Sequence, residues 1–289
     1  MFINNLARHD SQIIKYSLPH VIEPKYPGAF ESIVDITACW DEELLSGCRE
    51  EIIRLTKSIS RCHEYCCRFL AAAGSLAGDT YRIALDNVNT VKLAGYCGRL
   101  AESEFKPMKK SAGKERVRFL TAVTNKGVVK FTETALKLCE RIYLINDECG
   151  AVSRLLLNNM RARALAAGYD VISCYCPLSP FDKLEQLFVP QLKLGFVTSN
   201  RFHDFSMEVD PFRIVNSQRF TDNDKLKASK KRISFNRKVM AQMINQAQAL
   251  LAEAKSLHDE LESYYISATD FNKVDRLTQK ILAKIDTFA

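Results

Sequence analysis

Two long apolar stripes, related by an internal repeat, constrain the fold of this chain most. In each stripe, apolar residues recur at alternating spacings of three and four, which places them on one face of a long α-helix. The first stripe is Leu45, Cys48, Ile52, Leu55, Ile59, Cys62, Cys66 and Phe69, and the second is Met240, Met243, Ala247, Leu250, Ala254, Leu257, Leu261 and Tyr264. Residues 71–76 (AAAGSL) recur as 252–257 (AEAKSL), so the chain contains two related helical segments.

A shorter helix is predicted after each long one, at about 79–100 and 268–285. Residues 41–101 and 223–289 are therefore predicted to form two long antiparallel helical hairpins. Gly74 and Gly78 mark the first corner, and Asp270 is placed to cap the final helix. Stripes of this kind are buried either within a hairpin or against another chain. The helical arms thus predict a protein partner or a homo-oligomer.

The pattern changes after residues 105–114, where Pro107 and Gly113 predict a linker. Strands are predicted at 117–123, 142–145, 171–176 and 192–197, and helices at 132–139 and 155–167. This order indicates an α/β unit with a mainly parallel sheet over residues 115–222. No such unit precedes the first hairpin, so residues 1–104 are predicted to be mainly helical.

The composition argues for a cytoplasmic protein. The chain has 47% hydrophobic residues, enough for a sizeable core, but no run of 18 apolar residues and no secretory leader at its start. No membrane association is therefore predicted. The ten cysteines lie in predicted helices and strands, and we expect them to be free thiols in a reducing compartment.

Positive charge is concentrated at residues 106–118 and 225–238. The second segment contains seven cations and no acid, among them Lys230, Lys231 and Arg232, and Phe235 is its only aromatic residue. A phosphate or nucleic-acid partner would bind such a segment, with a strong dependence on salt. A solvated helix face is the alternative interpretation, and a stacking platform for bases is not evident.

Several segments together resemble a bacterial family of tandem P-loop ATPases. They are 19–28 (PHVIEPKYPG), 116–120 (RVRFL), 126–127 (KG), 141–145 (RIYLI) and 256–262 (SLHDELE). The resemblance spans most of the chain. It implies two nucleotide-binding units, each followed by a helical arm, with ATP and magnesium as the family's ligands.

The phosphate-binding loop departs from the family pattern. Where the family has G-x-P-G-T-G-K-S/T, residues 146–155 read NDECGAVSRL, and Gly150 alone is kept. Ser153 replaces the lysine and Arg154 the first hydroxyl, so the groups that stabilise phosphoryl transfer are missing. Asp147 and Glu148 add negative charge at the helix N-terminus, where they compete with a phosphate. Gly150, Ser153 and Arg154 are the candidate nucleotide contacts of a degenerate site, in which Arg154 could supply a substitute cation.

A second departure concerns the magnesium-binding carboxylate. In the family an Asp ends the strand before a histidine-containing segment, but here Thr198 precedes His203 and Lys15 precedes His20. His20 and His203 are interpreted as relics of the nucleotide site, or as histidines that hold a chain turn. The first unit is also shortened, because its matching segment begins at residue 19.

Two cysteine clusters have structural interpretations. Cys62 and Cys66 are four residues apart, as are His63 and Cys67, which would suit a metal on a helix. However, Cys62 and Cys66 belong to the apolar stripe, and we predict no metal site. Cys174 and Cys176 share one face of a predicted strand, and burial again explains them better than redox or metal chemistry.

Three functions follow from these observations. The leading hypothesis is a non-hydrolysing P-loop ATPase-like scaffold or regulatory protein with no catalytic residues, acting through its helical arms. Weak ATP binding or hydrolysis through Gly150, Ser153 and Arg154 is the enzyme alternative, with ATP and magnesium as ligands. Nucleic-acid binding through the cations of 225–238 is the third.

Overall fold

The computed structural model describes residues 34–108 and 112–286 of the 289-residue chain. They fold into two compact units, which we call the smaller unit (34–62 and 253–286) and the larger unit (63–108 and 112–252). The boundary falls within the two longest helices, α2 (Arg49–Leu85) and α7 (Lys230–Ser267). Residues 105–108 and 112–114, predicted as part of a linker, lie in the larger unit.

The larger unit has the α/β fold that the sequence predicts. Its sheet contains six strands: β1 (Glu115–Arg118), β4 (Arg141–Asn146), β5 (Val171–Cys176), β6 (Ser179–Val189), β7 (Leu194–Ser199) and β8 (Arg213–Asn216). Their order in the sheet is β1-β5-β6-β7-β4-β8. Only β6 runs antiparallel to its neighbours, so the sheet is mainly parallel. Residues 142–145 of β4 are all buried, as expected for a central strand covered on both faces.

The helices of the larger unit, besides α2 and α7, are α3 (Thr90–Glu104), α4 (Thr132–Leu138), α5 (Ala151–Ala166) and α6 (Asn223–Ala228). Helices α3 and α5 pack in the main core, α4 contributes Ala135 to a second apolar cluster, and α6 has no buried residue. Helix α3 begins at Thr90 because the side chain of Asn89 accepts a hydrogen bond from the backbone N–H of Lys92. The core joins Leu93, Cys97 and Leu100 of α3 with Val152, Leu156 and Met160 of α5. Helix α3 therefore belongs to the α/β layer.

Two strand predictions are corrected. The single strand expected at 117–123 is two strands, because β1 ends at Arg118 and β2 (Thr121–Thr124) pairs with β3 (Gly127–Lys130) in a separate hairpin. Leu120, between β1 and β2, is buried in the second apolar cluster. The long strand β6 was not predicted, since Pro180, Asp182 and Lys183 interrupt its apolar pattern.

The two long helices pack against each other. In the smaller unit, Arg54 of α2 bonds to Glu260 of α7 at 3.2 Å. The apolar cluster around this contact consists of Ile52, Leu55, Ile59, Leu257, Leu261 and Tyr264. In the larger unit, Asp79 of α2 accepts hydrogen bonds from Arg232 and Asn236 of α7. The expectation that each stripe is buried in its own hairpin or against another chain is therefore wrong here, because each long helix covers the other's apolar face.

The predicted corner at Gly74 and Gly78 is also wrong, because α2 continues through both glycines to Leu85. At Gly74 a Cβ atom would lie 2.2 Å from the carbonyl oxygen of Leu178, so glycine permits a close approach of the helix to that backbone. The second corner is confirmed: α7 ends at Ser267 and α8 (Phe271–Asp286) follows. Asp270 accepts from the backbone N–H of Lys273 at 3.2 Å, as a capping residue should.

Helix α8 has a polar and an apolar face, but none of its residues is buried. Phe271, Leu282 and Ile285 are each about half exposed. Within residues 34–108 and 112–286, no helix combines the length and apolar character needed to cross a membrane.

Candidate functional site

The loop at residues 146–150 connects β4 to the N-terminus of α5, at the carboxyl end of the sheet. Gly150 has a φ angle of 75°, a left-handed conformation that glycine adopts without strain. A loop of this kind directs several backbone N–H groups toward one point and thereby forms an anion site. The structure thus has a strand, a loop with a left-handed glycine and a helix in succession at this edge of the sheet.

The anion at this point is the side chain of Asp147. One carboxylate oxygen, Oδ1, accepts from the backbone N–H of Cys149 at 3.2 Å and of Gly150 at 3.1 Å. The other, Oδ2, accepts from the backbone N–H of Ser153 at 2.8 Å. Asp147 is only 4% exposed. The protein's own carboxylate therefore occupies the donors that would otherwise bind a phosphate.

Ser153 and Arg154, the other two candidate nucleotide contacts, both have partners within the protein. Ser153 is buried and contributes its backbone N–H to Asp147. The guanidinium of Arg154 lies 3.9 Å above the ring of Tyr81 and bonds to Asp182 at 2.6 Å. Arg154 is thus held by α2 and β6, while Gly150 and Ser153 both donate a backbone N–H to the Asp147 carboxylate.

The side chain of Glu148, the second acidic residue of the loop, pairs with two arginines. Its Oε2 atom lies 2.8 Å from Nε of Arg201 and 3.6 Å from Nη2 of Arg237. Arg237 also reaches the backbone carbonyl of Glu148 at 3.4 Å. Two guanidinium groups, one from the loop after β7 and one from α7, therefore converge on one carboxylate oxygen.

Thr198 and His203, named as candidate relics of a nucleotide site, are both buried. Thr198 lies beside Ile145 in the sheet, and its buried hydroxyl has no hydrogen-bond partner among the described residues. His203 is 6% exposed, and its Nδ1 lies 3.7 Å from Oε2 of Glu185. Burial lowers the pKa of His203 against the opposing effect of Glu185, so the ring is neutral near pH 7. His20 and Lys15 lie outside the described residues.

A buried ion pair on β6 adjoins this histidine. Nζ of Lys183 lies 2.5 Å from Oε1 of Glu185, which is 1% exposed. Burial opposes charge on both groups, but their mutual attraction raises the pKa of Lys183 and lowers that of Glu185. A Cβ atom at Gly150 would lie 3.3 Å from Cε of Lys183. A cation absent from the loop sequence is thus supplied beside the loop by another strand.

Two adjoining clefts open at the carboxyl ends of β4, β7 and β8. The inner cleft, of about 610 Å³, lies between the loop 146–150 and the residues that follow β7 and β8. The outer cleft, of about 840 Å³, lies beside α6 and the start of α7. Arg201 and Arg237 line both clefts. In open α/β sheets this edge is where ligands bind.

The cations of segment 225–238 are divided by the structure. Lys230 lines the outer cleft, whereas Lys231 is exposed on α7. Arg232 makes two bonds to Asp79, at 3.0 and 2.5 Å. The three predicted contacts therefore do not share one surface feature.

The cysteine clusters contain packing residues. Cys62 and Cys66 are buried in α2, and burial raises the pKa of the Cys66 thiol to about 11. Cys174 and Cys176 are buried on β5. All ten cysteines lie in the described part of the chain, and none forms a disulfide. Among the described residues, no group of three or more His, Cys, Asp or Glu side chains is arranged to hold a metal ion.

Sequence reasoning missed the residues that come from distant strands and loops. Lys183 and Glu185 lie on the unpredicted strand β6, and their spacing of two, which places both on one face, was the available signal. Arg201 lies two residues after β7, where polar side chains reach the ligand edge of a parallel sheet. Its pairing with Arg237 has no signal in the sequence.

The fold and site define an α/β protein with a mainly parallel six-stranded sheet, in which Asp147 accepts hydrogen bonds from the backbone of the loop after β4. Comparisons with protein-family models, curated proteins and solved structures found no match to this chain.

Proposed function

We propose that this protein is a P-loop ATPase-like protein that does not hydrolyse nucleoside triphosphates and that acts as a scaffold or regulatory partner through its helical arms. The observation that carries the proposal is the position of Asp147. Its carboxylate satisfies three backbone donors of the loop 146–150 and of α5. A triphosphate would have to displace a buried, hydrogen-bonded carboxylate from these donors.

The side chains around the loop support the same proposal. Phosphoryl transfer depends on a cation and a metal ion placed at the transferred group. Arg154 stacks on Tyr81 and pairs with Asp182 instead. Thr198, at the strand end where the family has a magnesium-binding carboxylate, offers only a buried hydroxyl. Lys183, the cation beside Gly150, is paired with Glu185.

The scaffold role is supported by the smaller unit. Within this unit, α2 and α7 bury apolar residues against each other. Helix α8 of the same unit presents partly exposed apolar residues. Apolar side chains on an amphipathic helix are a common means of binding a partner helix or groove.

Calorimetric titration with ATP, with and without magnesium, and a phosphate-release assay test the proposal. We expect no magnesium-dependent binding at millimolar ATP and no phosphate release above the buffer rate. Magnesium-dependent binding that is lost in Arg154→Ala would refute the proposal and favour an ATP-binding protein.

The scaffold role is tested separately by sedimentation over a wide concentration range and by affinity purification from the source cells. Leu282→Asp on α8 is the test variant, and Gln279→Asp on the polar side of α8 is its control. We expect self-association or a defined partner that Leu282→Asp weakens and Gln279→Asp leaves unchanged. A protein that stays monomeric and retains no partner would refute this role.

A further inference from the structure

Two guanidinium groups meet at the junction of the inner and outer clefts. Oε2 of Glu148 lies 2.8 Å from Arg201 and 3.6 Å from Arg237. The side chain of Glu148 is 46% exposed, whereas that of Arg237 is 23% exposed. The carboxylate is thus a partly solvent-exposed occupant of a site whose second cation, Arg237, is mostly buried.

The outer cleft is cationic. It is lined by the positively charged residues Arg201, Lys227, Lys230, Arg237 and Lys238. Among the described residues that line it, none is acidic. Lys227 is paired with Asp224 at 2.8 Å, and one carboxylate from Glu148 cannot neutralise the other four cations. The junction therefore retains excess positive charge and attracts anions.

The inner cleft has a different chemistry. Its neutral polar side chains come from the ends of three neighbouring strands and the residues after them: Asn146, Ser199, Asn200, Asn216, Ser217 and Gln218. Two of its carboxylates are already occupied by protein donors, because Asp147 caps α5 and Asp204 accepts from Ser199 and Ser206. This part of the cleft suits a neutral body that carries hydroxyl or amide groups, and it disfavours a second anion.

We propose that the cleft binds a phosphate monoester with a neutral polar body, such as a sugar phosphate, whose phosphate group replaces the Glu148 carboxylate between Arg201 and Arg237. A dianionic phosphate matches two guanidinium groups better than one carboxylate does, and arginine binds phosphate through paired hydrogen bonds. The inner volume of about 610 Å³ is within the usual range for small-molecule sites. The body lies against the strand ends, and Lys230 and Lys238 face the outer side of the phosphate.

This site differs from the degenerate phosphate-binding loop. The loop donors point at Asp147, whereas the proposed phosphate is held by side chains that Asp147 does not contact. The site goes beyond the proposed scaffold function and does not depend on it. Magnesium-independent binding of a monoester that is lost when Arg201 or Arg237 is replaced would establish the site, even if ATP also bound at the loop.

The test is calorimetric titration of the full chain with ribose 5-phosphate at low salt and without divalent metal, with inorganic phosphate and ribose in parallel. We expect Arg201→Gln and Arg237→Gln each to weaken ribose 5-phosphate binding by at least about tenfold. Glu148→Gln removes the internal competitor and is expected to tighten binding by about fivefold. Lys230→Gln weakens binding, and its neighbour Lys231→Gln, which lines neither cleft, is the matched control.

Ribose 5-phosphate should bind more tightly than inorganic phosphate, because the inner cleft holds the sugar, and ribose alone should bind weakly. Equal affinity for phosphate and ribose 5-phosphate would overturn the assignment of the polar body. Undetectable ribose 5-phosphate binding, in the native chain and in the exposed-site variant Glu148→Gln, would overturn the whole proposal. So would binding that both arginine variants retain after circular dichroism has shown them to be folded.

Discussion

Replacement of Asp147 by alanine removes the one carboxylate that satisfies the loop 146–150. Three backbone N–H groups lose their acceptor, and water has little access because Asp147 is 4% exposed. At about 1 kcal/mol for each hydrogen bond, the free energy of unfolding should fall by about 3 kcal/mol. At roughly 2–4 °C for each kcal/mol, the melting temperature should fall by about 6–12 °C.

The same variant should create an anion site. Sulfate can replace the missing carboxylate at the backbone donors, and at ten times its dissociation constant it restores about 1.4 kcal/mol. Thermal unfolding followed by far-UV circular dichroism, with increasing sulfate, measures both effects. Sulfate bound in the cleft stabilises native and variant chains alike, so the difference between them isolates the loop.

Asp222→Ala is the matched control, because Asp222 caps α6 through a single bond to the backbone N–H of Lys225, at 3.2 Å on the surface. It should cost only about 1 kcal/mol and gain nothing from sulfate beyond the native chain. Equal losses in Asp147→Ala and Asp222→Ala, or equal stabilisation of native and Asp147→Ala chains by sulfate, would refute the internal-anion interpretation.

Three further predictions follow from buried groups. Lys183→Met leaves the buried charge of Glu185 without its partner and should lower the free energy of unfolding in urea by about 3–5 kcal/mol. The double variant with Glu185→Met should recover most of this loss. No recovery would mean that the pair does not act as a unit. The pKa of His203 is lower in the folded chain than its usual 6.5, so below pH 6.5 the unfolded chain binds more protons than the folded chain. Stability should therefore decrease as the pH is lowered through this range, by at most about 1.4 kcal/mol per pH unit. His203→Gln should flatten this part of the stability profile, and an unchanged slope would contradict the assignment. Leu261→Ala should destabilise the smaller unit by about 2–5 kcal/mol. The fluorescence of Trp40, the only tryptophan, reports this unfolding because its ring lies 5.4 Å from that of Tyr265. Leu282→Ala, at an exposed position, should change the stability of this unit little.

The sequence by itself determined the elements whose signals are local. Alternating spacings of three and four predicted the long helices, and the run from residue 141 to the helix after Gly150 predicted β4, its loop and α5. The acidic residues Asp147 and Glu148 before the helix were also visible in the sequence. These features could be predicted because each depends on neighbours along the chain.

The tertiary structure decided which distant groups meet. The α2 stripe packs on α7, because two antiparallel helices of similar length bury both stripes at once. Gly74, predicted to be a corner, instead allows a close contact with Leu178. Strand β6 brings Lys183 beside Gly150, and the chain reversal after β7 brings Arg201 to the same carboxylate as Arg237. Such meetings depend on strand order and helix packing, which set distances between residues that no local pattern relates.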